Sequence, residues 1–296
     1  MIRLAVRVRR EDSEIVLAEL LELAPGGVEE VALGEEGKVE YAVYGAPGEL
    51  PELPDLNAAV GGIPVEVSST EIADDWSERW KDFHRPVLIE SPPGSPIPAL
   101  HIRPPWEAPS DRAGAEEIVI DPGQAFGTGA HATTRLCLEL LLELAQLEDS
   151  PGPVLDVGTG SGVLAIAAAR LGFAPVLGLD HERESVVAAR ENAEVNGVKI
   201  EARRFDLRRQ ALPWMDEGVG DPVSRPSGSL VVVANLLLPL LLDLAHGIRC
   251  APPHLLAGGL LREQVDEVVQ AFGGLGMHER ERRERGEWAV VWLTGS

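Results

Sequence analysis

Five residues constrain this chain more than any others. Gly158-Thr159-Gly160-Ser161-Gly162 follow the apolar run Val154-Leu155-Asp156-Val157 and precede a helical pattern that begins near Val163. Glycines at the end of a strand let the backbone turn sharply and approach a ligand closely. The spacing is Gly-x-Gly-x-Gly, not the Gly-x-Gly-x-x-Gly of dinucleotide binders, which holds a pyrophosphate at a helix N-terminus. The compact turn suits a nucleoside bearing an amino-acid chain and fits a nicotinamide cofactor poorly. A purely structural turn is the plainer alternative, and the surrounding residues decide between them.

Asp180 ends the next apolar run, Val176 to Asp180, 22 positions after Gly158. A carboxylate there can accept hydrogen bonds from both hydroxyls of a ribose, and it repels a 2′-phosphate. Its competing use is to cap the helix of Glu184 to Val195. A further run, Leu230 to Ala234, leads into Asn235 and then a helical pattern from Pro239 to Ile248. Short runs rich in valine and leucine, each followed by a helix, belong to a parallel sheet buried on both faces. Ligands of such sheets sit beyond the carboxyl ends of the strands, which puts Asn235 in the same cleft as the glycine turn. Its amide can donate and accept, so it can read a cofactor or hold an incoming amine. Near the end of the chain, Glu287 to Leu293 follows a strand-like stretch with no helix between, the pattern of an antiparallel hairpin.

Before the sheet lies Asp121-Pro122-Gly123-Gln124-Ala125-Phe126-Gly127-Thr128-Gly129-Ala130-His131-Ala132-Thr133-Thr134, leading into a helix over Leu136 to Leu144. A loop entering a helix can lie across a ligand, with Thr134 offering a hydroxyl beside free backbone amides. His131 has no second histidine or cysteine at ligand spacing, so no metal site is expected, and a structural hydrogen bond is its expected role.

The first 68 residues form a separate pattern. Ile2 to Val8 alternates apolar with basic residues, a half-buried strand. A helix with Ile15, Val16, Leu20 and Leu23 follows, then strands over Val28 to Leu33 and Val39 to Tyr44. A short helix near Leu53 to Val60 and a strand over Ile63 to Val67 complete the order β-α-β-β-α-β, a ferredoxin-like split motif. Trp76 and Trp80, four apart, share a helix face and are expected to pack between domains more than to clamp a ligand. Prolines from Pro92 to Pro109 interrupt regular structure. The expectation is therefore an α/β chain: a Rossmann-like, seven-stranded doubly wound sheet with an antiparallel C-terminal hairpin, plus a small α+β ferredoxin-like N-terminal domain. The domains are expected at residues 1–69 and 117–296, joined by a linker helix and proline-rich connection over 70–116.

Charge narrows the partners. The chain of 296 residues has 48 acidic and 26 basic side chains, a net charge of −22, which disfavours broad binding to phosphate backbones and favours a basic partner. Residues 1–68 alone hold 14 acidic and five basic residues. Only two cysteines occur, Cys137 and Cys250, both in apolar stretches, as expected of a reducing compartment. The aliphatic run Leu236 to Leu242 is broken by Pro239 and is far shorter than the ~18 residues a membrane span needs. The chain start lacks the apolar region of a signal peptide, so a cytoplasmic protein is expected.

Taken together, the loop Asp121 to Thr134, the turn Asp156 to Ala167, the stretch Asn192 to Gly197 and the strand end Val233-Ala234-Asn235 resemble the ribosomal protein L11 methyltransferase family. Trp76, Trp80 and Glu287-Trp288 look similar too, and the resemblance runs from about residue 74 to the end. It implies S-adenosyl-L-methionine as cofactor, bound at Thr134, Gly158, Asp180 and Asn235, with Gly160 added by the reading of the turn. It also implies a small N-terminal domain that grips the substrate, a basic ribosomal protein of the large-subunit stalk base, methylated on its α-amine and lysine amines. No nucleic acid, no membrane and no metal are expected, and a monomer is. The sequence departs from the family in its longer segments around Pro92 to Pro109 and Met215 to Ser229, in Leu236-Leu237-Leu238 after Asn235, and in Pro252-Pro253.

The chemistry so implied is a direct displacement at a sulfonium methyl, for which an amine must first lose its proton. Asn235 is expected to orient that amine. Two rival readings remain: a related methyltransferase acting on another protein or small-molecule amine, and a non-catalytic module that only binds the cofactor.

Overall fold

The computed structural model describes residues 2–13, 16–17, 20, 28–31, 37–45, 63–71, 84–112, 114–122, 129–147, 151–214 and 228–295. The chain divides into two units, Met1–Phe83 and His84–Ser296. The division differs from the expected one. Residues 84–116, read from their prolines as a connection, belong to the larger unit.

In the smaller unit, β1 (Ile2–Arg9), β2 (Glu29–Val31), β3 (Lys38–Gly45) and β4 (Glu66–Glu71) form an antiparallel sheet of order β2-β3-β1-β4. That is the strand order of the expected split motif. Leu4, Val6 and Val8 of β1 bury one face with Val39, Tyr41 and Val43 of β3, against Val16 and Leu20 from a helical stretch. On the opposite face Glu40 is buried between Arg3 and Arg7. Burial opposes its ionisation, yet the two guanidiniums hold its carboxyl below the usual range. The last strand lies later than the expected Ile63 to Val67. Pro64 has no N–H for a ladder, and pairing with β1 starts at Glu66. The helix expected near Leu53 to Val60, and Trp76 and Trp80, lie outside the described residues.

The larger unit begins with a small sheet of β5 (Val87–Ile89), β6 (Leu100–Arg103) and β7 (Glu116–Val119), in that order. Its strands are three or four residues long and fit between the prolines. Then follow α1 (Ala132–Leu147), β8 (Val154–Val157), α2 (Val163–Arg170), β9 (Val176–Asp180), α3 (Arg183–Val195), β10 (Glu201–Arg204) and β11 (Val231–Asn235). The chain closes with α4 (Leu238–Gly247), β12 (His254–Leu261), α5 (Val265–Gly273), β13 (His278–Arg285) and β14 (Trp288–Thr294).

The main sheet has seven strands in the order β10-β9-β8-β11-β12-β14-β13. Its first five are parallel; β14 and β13 form the antiparallel hairpin expected from the sequence. One face packs on α1 and α2 through Leu138, Leu141, Leu164 and Ile166, and the other on α4 and α5 through Leu241, Leu244, Val268 and Phe272. Strand order reverses between β8 and β11, so the switch point, where helices leave to opposite faces, lies at their carboxyl ends.

Candidate active site

The glycine turn sits at that switch point. Gly158, Gly160 and Gly162 all take positive φ (77°, 53° and 84°), a region glycine enters without penalty. A Cβ on Gly162 would lie 3.0 Å from Cα and Cβ of Ala189, so the third glycine lets α2 start against α3. The amides of Gly158 and Thr159 both donate to the Leu179 carbonyl, at 2.8 and 3.0 Å, which ties the turn to β9. One residue further along β9, Asp180 closes the arrangement. Its Oδ2 accepts the Gly160 N–H at 2.9 Å and its Oδ1 accepts the Glu182 N–H at 3.0 Å. Each carboxylate oxygen has a second lone pair, so two acceptor positions stay open for a diol.

Asp156, two residues before the turn, is fully buried. Its Oδ2 accepts the Thr159 hydroxyl at 2.7 Å. Burial foremost, with the nearby Asp180 charge, pushes its carboxyl up to about 7, and the Thr159 hydroxyl pulls the other way. Cys137 on α1 has its thiol pushed up by burial and by the Asp156 charge, and stays protonated.

A raised carboxyl pKa makes the native state bind the Asp156 proton more tightly than the unfolded chain does. This stability is present in full below about pH 4 and is lost as pH rises through about 7. Asp156→Asn removes the dependence. Between pH 5 and pH 8.5 the variant should gain about 3 kcal/mol on the native chain, measured by urea unfolding at both pH values. A stability difference that stays flat across that interval would mean Asp156 is ionised throughout.

Asn235 ends β11 in register with Gly258 of β12. Its Nδ2 donates to Thr134 Oγ1 at 3.2 Å, while its Oδ1 is buried with no hydrogen-bond partner. Gly258 is bare for a reason: a Cβ there would lie 2.8 Å from Cys137 Sγ and 2.9 Å from Asn235 Oδ1. The following residue is held as closely. The Leu236 amide donates to the Gly258 carbonyl at 3.1 Å, and the Leu236 side chain lies over the Gly158 turn, 2.3 Å from where a Cβ would stand. All five sequence-derived positions are thus joined in one chain of contacts, Asp180 to Gly160, then Gly158 through Leu236 to Asn235, and Asn235 to Thr134.

The loop that leads to Thr134 is fixed at both described ends, and residues 123–128 lie outside the described set. Asn192 on α3 accepts the Asp121 amide at 2.9 Å and donates to the carbonyls of Asp121 and Ser161. Asn196, one turn on, exchanges hydrogen bonds with both backbone groups of Val119. His131 Nδ1 lies 2.9 Å from Thr133 Oγ1, and its ring meets Trp288 edge-on at 4.7 Å. Burial lowers its pKa, and its contact with the Thr133 hydroxyl is the kind of structural hydrogen bond expected of it. The sequence reading did not assign the clamping role of Asn192 and Asn196, although their i, i+4 spacing already places both on one helix face. Nor did it single out Phe205-Asp206, which follow β10 at the same sheet edge, with the Phe205 amide on the Asp180 carbonyl at 2.7 Å.

Residues 52–295 match the family described as ribosomal protein L11 methyltransferase (PrmA). The chain belongs to this family. A ribosomal protein L11 methyltransferase of Syntrophotalea carbinolica is 41% identical over 237 residues, covering 77% of this chain and 70% of the relative. One from Symbiobacterium thermophilum is 34% identical over 282 residues, 92% of this chain and 84% of the relative. A crystal structure of the ribosomal protein L11 methylase of Lactobacillus delbrueckii subsp. bulgaricus superposes with a TM-score of 0.55 at 31% identity, over 71% of this chain and 98% of that one. As a ribosomal protein L11 methyltransferase, the chain is an enzyme that methylates that protein with S-adenosyl-L-methionine as donor. The residues present fit the cofactor: a glycine turn held at positive φ by Gly158 and Gly160, a carboxylate at Asp180 with acceptor capacity left, and an orphaned amide oxygen on Asn235.

Proposed function

We propose that this chain methylates the N-terminal α-amine and lysine side-chain amines of ribosomal protein L11, with Thr134, Gly158, Gly160, Asp180 and Asn235 holding the donor. The observation that carries the reading is the single connected network of those five residues at the strand switch point. When bound, S-adenosyl-L-methionine supplies a methyl group on a sulfonium, which needs no metal and no covalent enzyme intermediate.

The protein's part is to present a neutral amine. Lysine starts near pKa ~10.4 and an α-amine near ~7.7–8.0, and burial lowers both because it disfavours the charged form. Asn235 is no base. It is an amide pinned by Thr134 whose second polar atom lacks a donor, and an amine N–H is the kind of group that satisfies it. Its role is orientation. The acidic first 68 residues, 14 acidic against five basic, favour the approach of a basic ribosomal protein without nucleic acid. The place of action that follows is the cytoplasm, at the stalk-base protein, with the smaller unit gripping the substrate.

Purified chain, labelled methyl donor and ribosomal protein L11 test this directly, with the modified amines located by mass spectrometry. Label is expected on the α-amine and on lysines. Asn235→Ala should lower kcat by ~10²-fold at saturating donor, the scale expected when a reacting group loses its alignment. Unchanged turnover removes Asn235 from the chemistry. Label on a different protein or on a small amine instead would establish the first rival, and binding of the donor without any transfer the second.

A further inference from the structure

Arg135, the residue after Thr134, lies in the first turn of α1 and is half-buried. Its Nε is buried and has no hydrogen-bond partner, and no ion pair joins its guanidinium to any described residue. Other arginines of this unit are committed: Arg103 to Glu117, Arg170 to Glu116, Arg190 to the Ala202 carbonyl, Arg208 to Asp243. The natural partner for Arg135 within the helix is Glu139, four residues on. That carboxylate is turned to β13 instead, bonded to Arg285 at 2.9 Å and near Arg283 at 4.0 Å.

The placement is costly in a second way. The first turn of α1 contains no acidic residue. A cation at a helix N-terminus faces the positive end of the helix dipole. With its Nε orphaned, no carboxylate of the described residues paired to it and the dipole opposed, Arg135 lacks an anion. This end of α1 is the one at the cleft, because Thr134 Oγ1 takes the Asn235 amide proton. Helical side chains lean toward the N-terminus, which carries a long guanidinium the same way. The groups identified at the cleft are acidic or neutral: Asp180, Thr134 and Asn235.

We infer that Arg135 is the counter-ion of the carboxylate on the methionine tail of the cofactor, an assignment that rests on the proposed donor site. A guanidinium meets a carboxylate through two parallel hydrogen bonds, which fixes the tail as well as attracting it. The charge is needed, since a carboxylate entering a chain of net charge −22 is otherwise repelled.

Calorimetric titration of the full chain separates the possibilities with two ligands. S-Adenosylhomocysteine keeps the amino-acid tail; 5′-methylthioadenosine has the same nucleoside and no carboxylate. Arg135→Gln should weaken S-adenosylhomocysteine at least ~10-fold, the scale of a lost charged hydrogen bond, and leave 5′-methylthioadenosine within about twofold. Arg135→Lys should recover part of the loss. Equal weakening of both ligands would reduce Arg135 to a structural residue and overturn the assignment, as would no weakening of either. If the native chain binds neither ligand, the donor site itself falls, and this assignment with it.

Discussion

Gly259→Ala is expected to remove nearly all turnover and about 2–4 kcal/mol of stability. Gly259 takes φ +81°, and a Cβ there would stand 2.3 Å from the Leu236 carbonyl oxygen, 2.8 Å from its carbon and 3.0 Å from its nitrogen. These are backbone atoms and cannot rotate away. The position lies where pairing between β12 and β14 slips, between Ala257 and Leu260, so the bulge exists to bring bare peptide against the end of β11. An added methyl pushes Leu236 aside and carries Asn235 off Thr134, a displacement of the size that costs ~10²-fold or more in kcat. Gly247→Ala serves as the control, because nothing lies within 4 Å of the added atom. Urea midpoints and kcat for both variants decide it; a Gly259→Ala enzyme within threefold of the native rate would show that the strand ends tolerate movement.

Asp180→Ala should weaken binding of S-adenosylhomocysteine by ~10²–10³-fold, measured by calorimetry. The loss has two sources: the sugar hydroxyls lose their acceptor, and the Gly160 and Glu182 amides lose the carboxylate that seats the turn. Each charged hydrogen bond is worth ~1.5–3 kcal/mol. Asp180→Asn keeps one oxygen but turns an N–H₂ toward an N–H, so it should fall between the two. Both variants should weaken 5′-methylthioadenosine as strongly as S-adenosylhomocysteine, because the contact proposed for Asp180 is to the sugar, which the two ligands share. That distinguishes Asp180 from Arg135, whose effect depends on the tail.

How much of this was legible beforehand depended on whether burial left a pattern. β8 and β9 run Val154–Val157 and Val176–Asp180, as their apolar runs predict, because strands covered on both faces read as near-continuous runs rich in valine and leucine, with Asp156 inside and Asp180 at the end as the polar exceptions. β11 lies one residue later than predicted, at Val231–Asn235, since a strand end is set by pairing: Asn235 still pairs with Gly258. β4 reads Glu-Val-Ser-Ser-Thr-Glu and lacks the apolar alternation that marks a strand; its ladder with β1 makes it one. β13 is eight residues without an aliphatic side chain, and its strand is set by the apolar β14 beside it. The strands between the prolines are too short for any period to show.

The site divides in the same way. Glycine spacing and strand-end position pointed to Gly158, Gly160, Asp180 and Asn235: the glycines are required by their positive φ, and the other two are marked by their place at the carboxyl ends of β9 and β11. Arg135 had no such mark, since an arginine in a helix normally sits on its solvated face. Only the orphaned Nε, and Glu139 facing the other way, set it apart.

Leu236 is wedged between two peptides that have no room for a side chain, Gly158 on one flank and Gly259 on the other. The three positions therefore form a lock that evolution can open only by changing several of them at once. Leu237, its neighbour, stands 66% in solvent and is free of that lock. A substitution at Leu237 therefore changes the surface two residues after Asn235 without disturbing the packing of Leu236 against Gly158 and Gly259.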